Sequence, residues 1–384
     1  MFRIQLLGIA ALLAPVSLAA QGTDRGAFVM RLGSDTLAVE RYSRSGNRFE
    51  SDIAARIPLT RRLRYTGTLN PDGTFSRLHI VGTPVTQAPG QLPPLDATLV
   101  FARDSAQTTI KLPDSTQIIR AAVRPGTMPV TTFSFALYEM IAMRAQRAGG
   151  DSVPVPIIGL GANQTLQTYV ARRGVDAVDI GYFGAPMHVR VDRSGRVLSV
   201  DGSETTNKVI VERVKDLDVD RFARDFAARD AAGQAVGQLS ARDTVTATVA
   251  GAHITIDYGR PHRRGRQIFG TVVPWGQVWR TGANAATGFT TDTDITINGT
   301  TIPKGSYTLF TLPGQDGAKL IVNKQTGQWG TQYDPAQDLA RIDLESEQLA
   351  QPVEGFTIAI EPDGTGGVLS LAWDRTRYTA TVGK

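Results

Sequence analysis

The residues best suited to chemistry lie in the last third of the chain. Arg260, His262, Arg263, Arg264 and Arg266 place five basic side chains within seven residues, interrupted by Pro261 and Gly265. Arginine forks match the geometry of carboxylates, sulfates and phosphates, so a loop holding several can grip an acidic sugar or headgroup. The plainer alternative is a solvated basic loop, the usual fate of a charge run. Trp279-Arg280-Thr281-Gly282-Ala283-Asn284 follows. On an extended chain Trp279 and Arg280 point to opposite sides, so one can bury while the other lines a cleft. Gly282 permits an unusual backbone angle beside Asn284, whose amide both donates and accepts. The alternative here is that Arg280 pairs with a carboxylate such as Asp257 and Asn284 caps a turn.

All four tryptophans also lie beyond residue 242: Trp275, Trp279, Trp329 and Trp373. Flat faces suit sugar stacking, yet such side chains more often build core. Trp373 alternates with Leu369 and Leu371 and reads as core. Trp275 and Trp329 stand beside glycines in loop-like sequence and are the better ligand candidates. The expected ligand-binding set is therefore Arg260, His262, Arg266, Trp275, Arg280, Asn284 and Trp329.

Other chemistries find little support. The four histidines are His79, His188, His253 and His262. His253 and Asp257 would share a strand face, but four residues of strand put them about 13 Å apart, too far for one zinc. There is no His-Glu-x-x-His element and no Gly-x-Ser-x-Gly elbow, and Gly159-Leu160-Gly161 lacks the third glycine of a dinucleotide loop. No catalytic residue, metal or cofactor is expected from these patterns. Paired carboxylates for hydrolysis are a spatial matter, and nothing in the sequence singles out a pair.

These side chains must be held by an exported, mostly β scaffold. Arg3, the apolar run Leu6 to Val16 and the small residues Ser17 to Ala20 have the three-part layout of a secretory signal, cleaved after Ala19 or Ala20. The run is too short to span a bilayer, which takes about 20 residues, and no later stretch is apolar enough. The 384 residues contain no cysteine, which excludes disulfides, thiolate metal sites and a lipoprotein anchor. The mature chain is thus expected to be soluble, in the periplasm or outside the cell. Losing Arg3 lowers the formal net charge from +5 to +4. So weak a charge argues for no nucleic-acid partner, while leaving acidic glycans or envelope components open.

Two domains are expected after the signal: residues 21–236 and 237–384. The first reads as an antiparallel meander, a curved sheet or half-barrel. Its strands are punctuated by turns such as Asn70-Pro71-Asp72-Gly73 and Asp192-Arg193-Ser194-Gly195. Phe28, Met30 and Leu32 share one strand face. A helix near 132–148, capped by Thr131 or Thr132, carries Phe133, Leu137 and Ile141 and stops at Gly149-Gly150. A second, near 218–232, sets Val219, Phe222 and Phe226 on one stripe and bridges to the next domain. Beyond it, cleanly alternating short strands suggest a β-sandwich or jelly-roll, with a tight turn at Asn298-Gly299 and a helix start at Asp334-Pro335.

Within that region a set of blocks recurs in order: Tyr258-Gly259-Arg260-Pro261, Gly265-Arg266, Ile268-Phe269-Gly270, Val273-Pro274-Trp275-Gly276, Trp279 to Asn284, Ile302 to Tyr307, Leu309-Phe310-Thr311 and Gln328-Trp329-Gly330. On these blocks residues 252–384 resemble the family called domain of unknown function 2911. The family brings no assigned activity. Its members often carry glutamate where Ala285 stands here, so any role of that carboxylate is lost in this chain. For the N-terminal region there is only a loose analogy to the curved sheets of exported lipid carriers.

The sequence thus favours a non-catalytic exported protein that binds an acidic ligand through the C-terminal domain. Two alternatives stay open. One is an exported hydrolase acting on glycan or peptide through carboxylates. The other is an apolar-ligand carrier using the N-terminal sheet.

Overall fold

Alternation along the first strand decides how its sheet is covered. Phe28, Met30 and Leu32 enter one core, while Val29 between them enters another on the opposite face. The computed structural model describes residues 23–86, 92–182, 185–205 and 207–384; the predicted signal segment, residues 1–20, lies outside them.

The first sheet has fifteen strands among the described residues. They are β1 (Asp24–Leu32), β2 (Asp35–Ser45), β3 (Arg48–Ala55), β4 (Arg61–Leu69), β5 (Phe75–Pro84), β6 (Leu95–Phe101), β7 (Ser105–Lys111), β8 (Thr116–Ala122), β9 (Met128–Val130), β10 (Ser152–Gly159), β11 (Leu166–Arg172), β12 (Ala177–Tyr182), β13 (Ala185–Val191), β14 (Val197–Asp201) and β15 (Ile210–Val214). Sequential neighbours pair antiparallel, except that β9 runs parallel to β10. The two runs meet where β1 pairs with β15. β8 and β9 are left as open ends, so the sheet does not close into a barrel.

Helix α1 (Phe135–Ala148) lies on one face, with Leu137 and Ile141 fully buried in the main core. Its sequence-predicted caps, Thr131 and Thr132, stand outside the helix. The N-cap position is Ser134, whose side chain makes no capping bond to its own helix. The cap comes from the sheet instead: Glu40 of β2 accepts from the Phe135 and Ala136 N–H groups at 2.7 and 3.0 Å and from the Ser134 hydroxyl at 2.6 Å. A carboxylate at this end satisfies otherwise orphaned donors and complements the helix dipole. Helix α2 (Val219–Ala231) covers the other face, as its apolar stripe predicts. Val219, Ala223 and Phe226 pack on Val29, Val39 and Ala54, and Asp218 caps it through the Arg221 N–H.

The second sheet has nine strands among the described residues: β16 (Ser240–Val249), β17 (Ala252–Pro261), β18 (Thr287–Thr291), β19 (Ile295–Ile297), β20 (Thr300–Ile302), β21 (Gly305–Pro313), β22 (Ala318–Asn323), β23 (Asp338–Asp363) and β24 (Gly366–Gly383). The sheet folds back so that β16 and β17 meet β23. Between these layers sits a core with Tyr258, Phe289, Phe356 and Trp373. Where short alternating strands are expected, residues 356–361 and 368–373 are parts of one long hairpin, β23–β24. At Asp334-Pro335 the helix is a single 3-10 turn, Pro335–Gln337, because the chain passes straight into β23 to pair with β22. The protein is therefore mostly β, and among the described residues no helix is long and apolar enough to cross a membrane.

Candidate functional site

The arginine-rich segment is the loop that leaves β17, and most of its cations are already engaged. Arg263 pairs with Asp374 at 2.9 Å and Arg264 with Asp35 at 2.5 Å. Arg260 reaches Asp243 at 3.5 Å and the Thr357 hydroxyl at 3.1 Å, and with His262 it packs against Gly355. Burial, followed by the Arg264 charge, pushes the His262 imidazole below its ordinary value, so this side chain is neutral at pH 7. Arg266 differs from its neighbours. Its guanidinium donates to the carbonyls of Arg263 and His262 and, among the described residues, meets no carboxylate at ion-pair distance.

Arg280 is placed by the residue before it. Trp279 exchanges backbone hydrogen bonds with Thr311 at 2.8 Å each way and stacks on Trp373 with ring centroids 5.7 Å apart. The tryptophan thus goes to the core side, and the chain holds Arg280 on the other. Thr281 is fully buried, bonded to the Thr311 hydroxyl at 2.7 Å, while its carbonyl accepts from Thr287. These bonds fix an unusual backbone: Thr281 and Asn284 have φ of 51° and 63°. Left-handed non-glycine residues are costly and gather at ligand-holding loops.

Arg280 forms no ion pair among the described residues; its one hydrogen bond there is to the Asn284 carbonyl at 3.4 Å. Asp257, the carboxylate that sequence spacing offers it, is instead held by Arg242. Burial alone lowers the affinity of Arg280 for its proton. Gly330 makes this burial possible. A Cβ there would stand 2.4 Å from the Arg280 Cδ and 2.8 Å from the Asn284 carbonyl oxygen, so only glycine lets the chain lie over the arginine. Asn284 itself is exposed, with its amide 3.4 Å from the Ser240 carbonyl. Beside Gly330 stands Trp329, 46% exposed, bridged to Ala285.

The structure therefore gathers Arg280, Asn284 and Trp329 around Gly330. It sets Arg260 and His262 against Gly355. Trp275, 36% exposed, stacks on Phe269 at 5.7 Å and packs over Gly270.

Sequence reasoning passed over two further clusters. The ammonium of Lys208, in the loop between β14 and β15, bonds only the Ser203 carbonyl among the described residues, at 3.0 Å. Burial and then the charges of Arg266 and Arg280 depress its proton affinity, with Glu204 opposing. A lone lysine in a loop gives no sequence signal. The other cluster surrounds Glu139, which is fully buried within α1. It accepts from Tyr42, Arg213, Arg44 at 2.8 Å and the Val197 N–H at 2.9 Å. Two guanidiniums and a phenol make this a closed, satisfied network. Among the described residues no group of three or more His, Asp or Glu side chains is arranged to hold a metal ion.

These features define a two-sheet, mostly β protein whose second sheet carries a half-buried, unpaired arginine. Residues 240–382 match the family model described as a protein of unknown function (DUF2911), which bears out the resemblance read from the sequence blocks. No curated protein matches the chain. Among solved structures, a DUF1089 family protein from Pseudomonas aeruginosa aligns with 14% identity and a TM-score of 0.34, over 51% of this chain and 95% of that one. A β-barrel-like protein of domain of unknown function DUF1849 from Brucella abortus aligns with 10% identity and a TM-score of 0.32, over 50% of this chain and 93% of that one. Neither score is high enough to transfer a ligand or an activity.

Proposed function

We propose that this chain is an exported, non-catalytic binding protein that takes an acidic envelope ligand, an acidic glycan or headgroup, at Arg280 and Asn284. Arg266 lends charge, and Trp329 offers a face for stacking. The observation that carries this reading is the unpaired Arg280. A guanidinium half removed from water without a counter-charge is costly, and an arriving carboxylate, sulfate or phosphate would remove that cost. Arg260, His262 and Trp275 would form the outer part of the surface. The signal-like segment from Arg3 to Ala20 supports export.

Isothermal titration of the mature chain with acidic and neutral envelope polysaccharides tests the reading. Acidic ligands should bind and neutral ones should not, with Arg280→Ala weakening binding at least tenfold. Unchanged binding by Arg280→Ala would remove the site assignment. Cell fractionation with N-terminal sequencing tests export: the expected mature chain begins at Ala20 or Gln21.

A further inference from the structure

An apolar cavity of about 50 Å³ lies between the first sheet and the start of α1. Met30, Leu37, Phe135, Tyr138, Val209 and Leu239 are among the residues that line it. Two of its lining segments adjoin, in sequence, residues of the site described above. Val209 and Asn207, both lining residues, flank Lys208 in sequence. Leu239 precedes Ser240, whose carbonyl the Asn284 amide approaches. The loop after β17 joins the second sheet to the first: the Ser34 N–H donates to the Arg264 carbonyl at 3.0 Å, and Arg264 bonds the Val236 carbonyl. At Gly33 a Cβ would lie 3.1 Å from the Arg266 side chain.

Lys208, Arg266 and Arg280 thus come from both sheets, and among the described residues none of the three is paired with a carboxylate. Like charges partly removed from water repel, and the carboxylates that oppose them, Glu204 for Lys208 and Glu354 for Arg266, form no ion pair with them among the described residues. An apolar cavity near cations that bond no carboxylate among the described residues fits a molecule with both characters.

We infer that the seam between the two sheets binds an anionic amphiphile. A phosphate head sits among Lys208, Arg266 and Arg280, and the end of its alkyl chain enters the cavity against α1. This deepens the proposed anion site and rests on it for Arg266 and Arg280; Lys208 and the cavity are new. The cavity has room for several water-sized volumes, enough for the end of a chain and not for a whole lipid tail. A chain end buried there gains affinity with each methylene until the cavity is filled.

Titration of the full mature chain with octyl phosphate, inorganic phosphate and octyl glucoside separates the two claims. Octyl phosphate is expected to bind at least tenfold more tightly than either of the others. Lys208→Asn, which keeps a residue tolerant of the left-handed backbone found there, should weaken octyl phosphate about tenfold and leave octyl glucoside unchanged. Val209→Trp should fill the cavity and remove the advantage of the alkyl chain; circular dichroism and inorganic phosphate binding report that it still folds. Equal affinity for octyl phosphate and inorganic phosphate, both lost in Arg280→Ala, would overturn the amphiphile while leaving the anion site standing. No phosphate binding of either kind would overturn both. Vesicles of phosphatidylglycerol distinguish the source: lipid carried into the soluble fraction points to a membrane lipid, and octyl phosphate binding without such transfer points to a free amphiphile.

Discussion

The Arg264 guanidinium of the second sheet's loop lies 2.5 Å from the Asp35 carboxylate of the first sheet, with only 9% of the arginine side chain exposed. Its carbonyl meanwhile accepts from Ser34, so one residue ties the loop to the β1–β2 turn through both backbone and side chain. Gly33 is part of the joint. Its φ is +58°, and a Cβ there would strike the Arg264 carbonyl at 1.9 Å.

Replacing Arg264 by methionine is accordingly expected to loosen the two sheets from each other without unfolding either. The cost should be about 2 kcal/mol, below the ~3–5 kcal/mol of a fully buried pair because Asp35 is a third exposed. Differential scanning calorimetry should show one transition splitting into two, with faster proteolysis in the connection at 232–239. A single unshifted transition would mean that the pair contributes nothing to the joint.

Glu40 offers a second test. It bonds two helix N–H groups, Ser134 and, at 2.7 Å, Ser51, all of them buried. Burial pushes its carboxyl above the ordinary value, while these four donors pull the other way. Glu40→Ala leaves the donors without a partner and should cost about 3 kcal/mol, read as a lower urea midpoint. Glu40→Gln keeps one acceptor oxygen and should cost less than half of that. Equal losses in the two variants would show that the helix does not depend on the cap.

Such bonds explain which parts of the fold were legible in the sequence. Helix α2 could be read directly because its stripe, with Val219 and Phe226, is local. The Asn298-Gly299 turn was legible for the same reason, since both residues adopt positive φ, at 44° and 76°. The cap of α1 was not, because Glu40 is 94 residues from Ser134. The basic run around Arg264 read as a candidate ligand loop, yet Asp35 and Asp374 engage two of its arginines from 229 and 111 positions away. Arg280 and Lys208, which pair with no carboxylate among the described residues, are marked only by that absence, which no spacing reveals.

His188 makes the stability depend on pH. Its Nδ1 lies 2.8 Å from Asp179 and its Nε2 3.5 Å from Glu204, and the Asp179 bond raises the imidazole above its ordinary value near 6.5. Burial pushes the Asp179 carboxyl up, but the bonds from His188 and Arg173 win and hold it low, so it stays ionised throughout. A histidine raised in the folded state stabilises fully below its unfolded value, and that contribution disappears as pH rises through the folded one. The urea midpoint should therefore fall from pH 6 to pH 8, and the fall should flatten in His188→Gln. An identical slope in the variant would show that other groups set it.

The two tryptophans that differ most in burial should separate stability from binding. Trp373 is 2% exposed, stacked on Trp279 and tilted against Phe356, and its indole N–H is 3.3 Å from the Glu354 carbonyl. Trp373→Ala removes one of the largest core side chains and should cost roughly 3–5 kcal/mol. Trp329, half exposed beside Gly330, should change stability by less than about 0.5 kcal/mol when truncated. If it covers the ligand at Arg280, its loss should weaken acidic-ligand binding several-fold and abolish the change in emission on titration. A Trp329→Ala variant that binds as tightly as the parent would confine recognition to Arg280 and its polar neighbours, leaving no stacking face in the site.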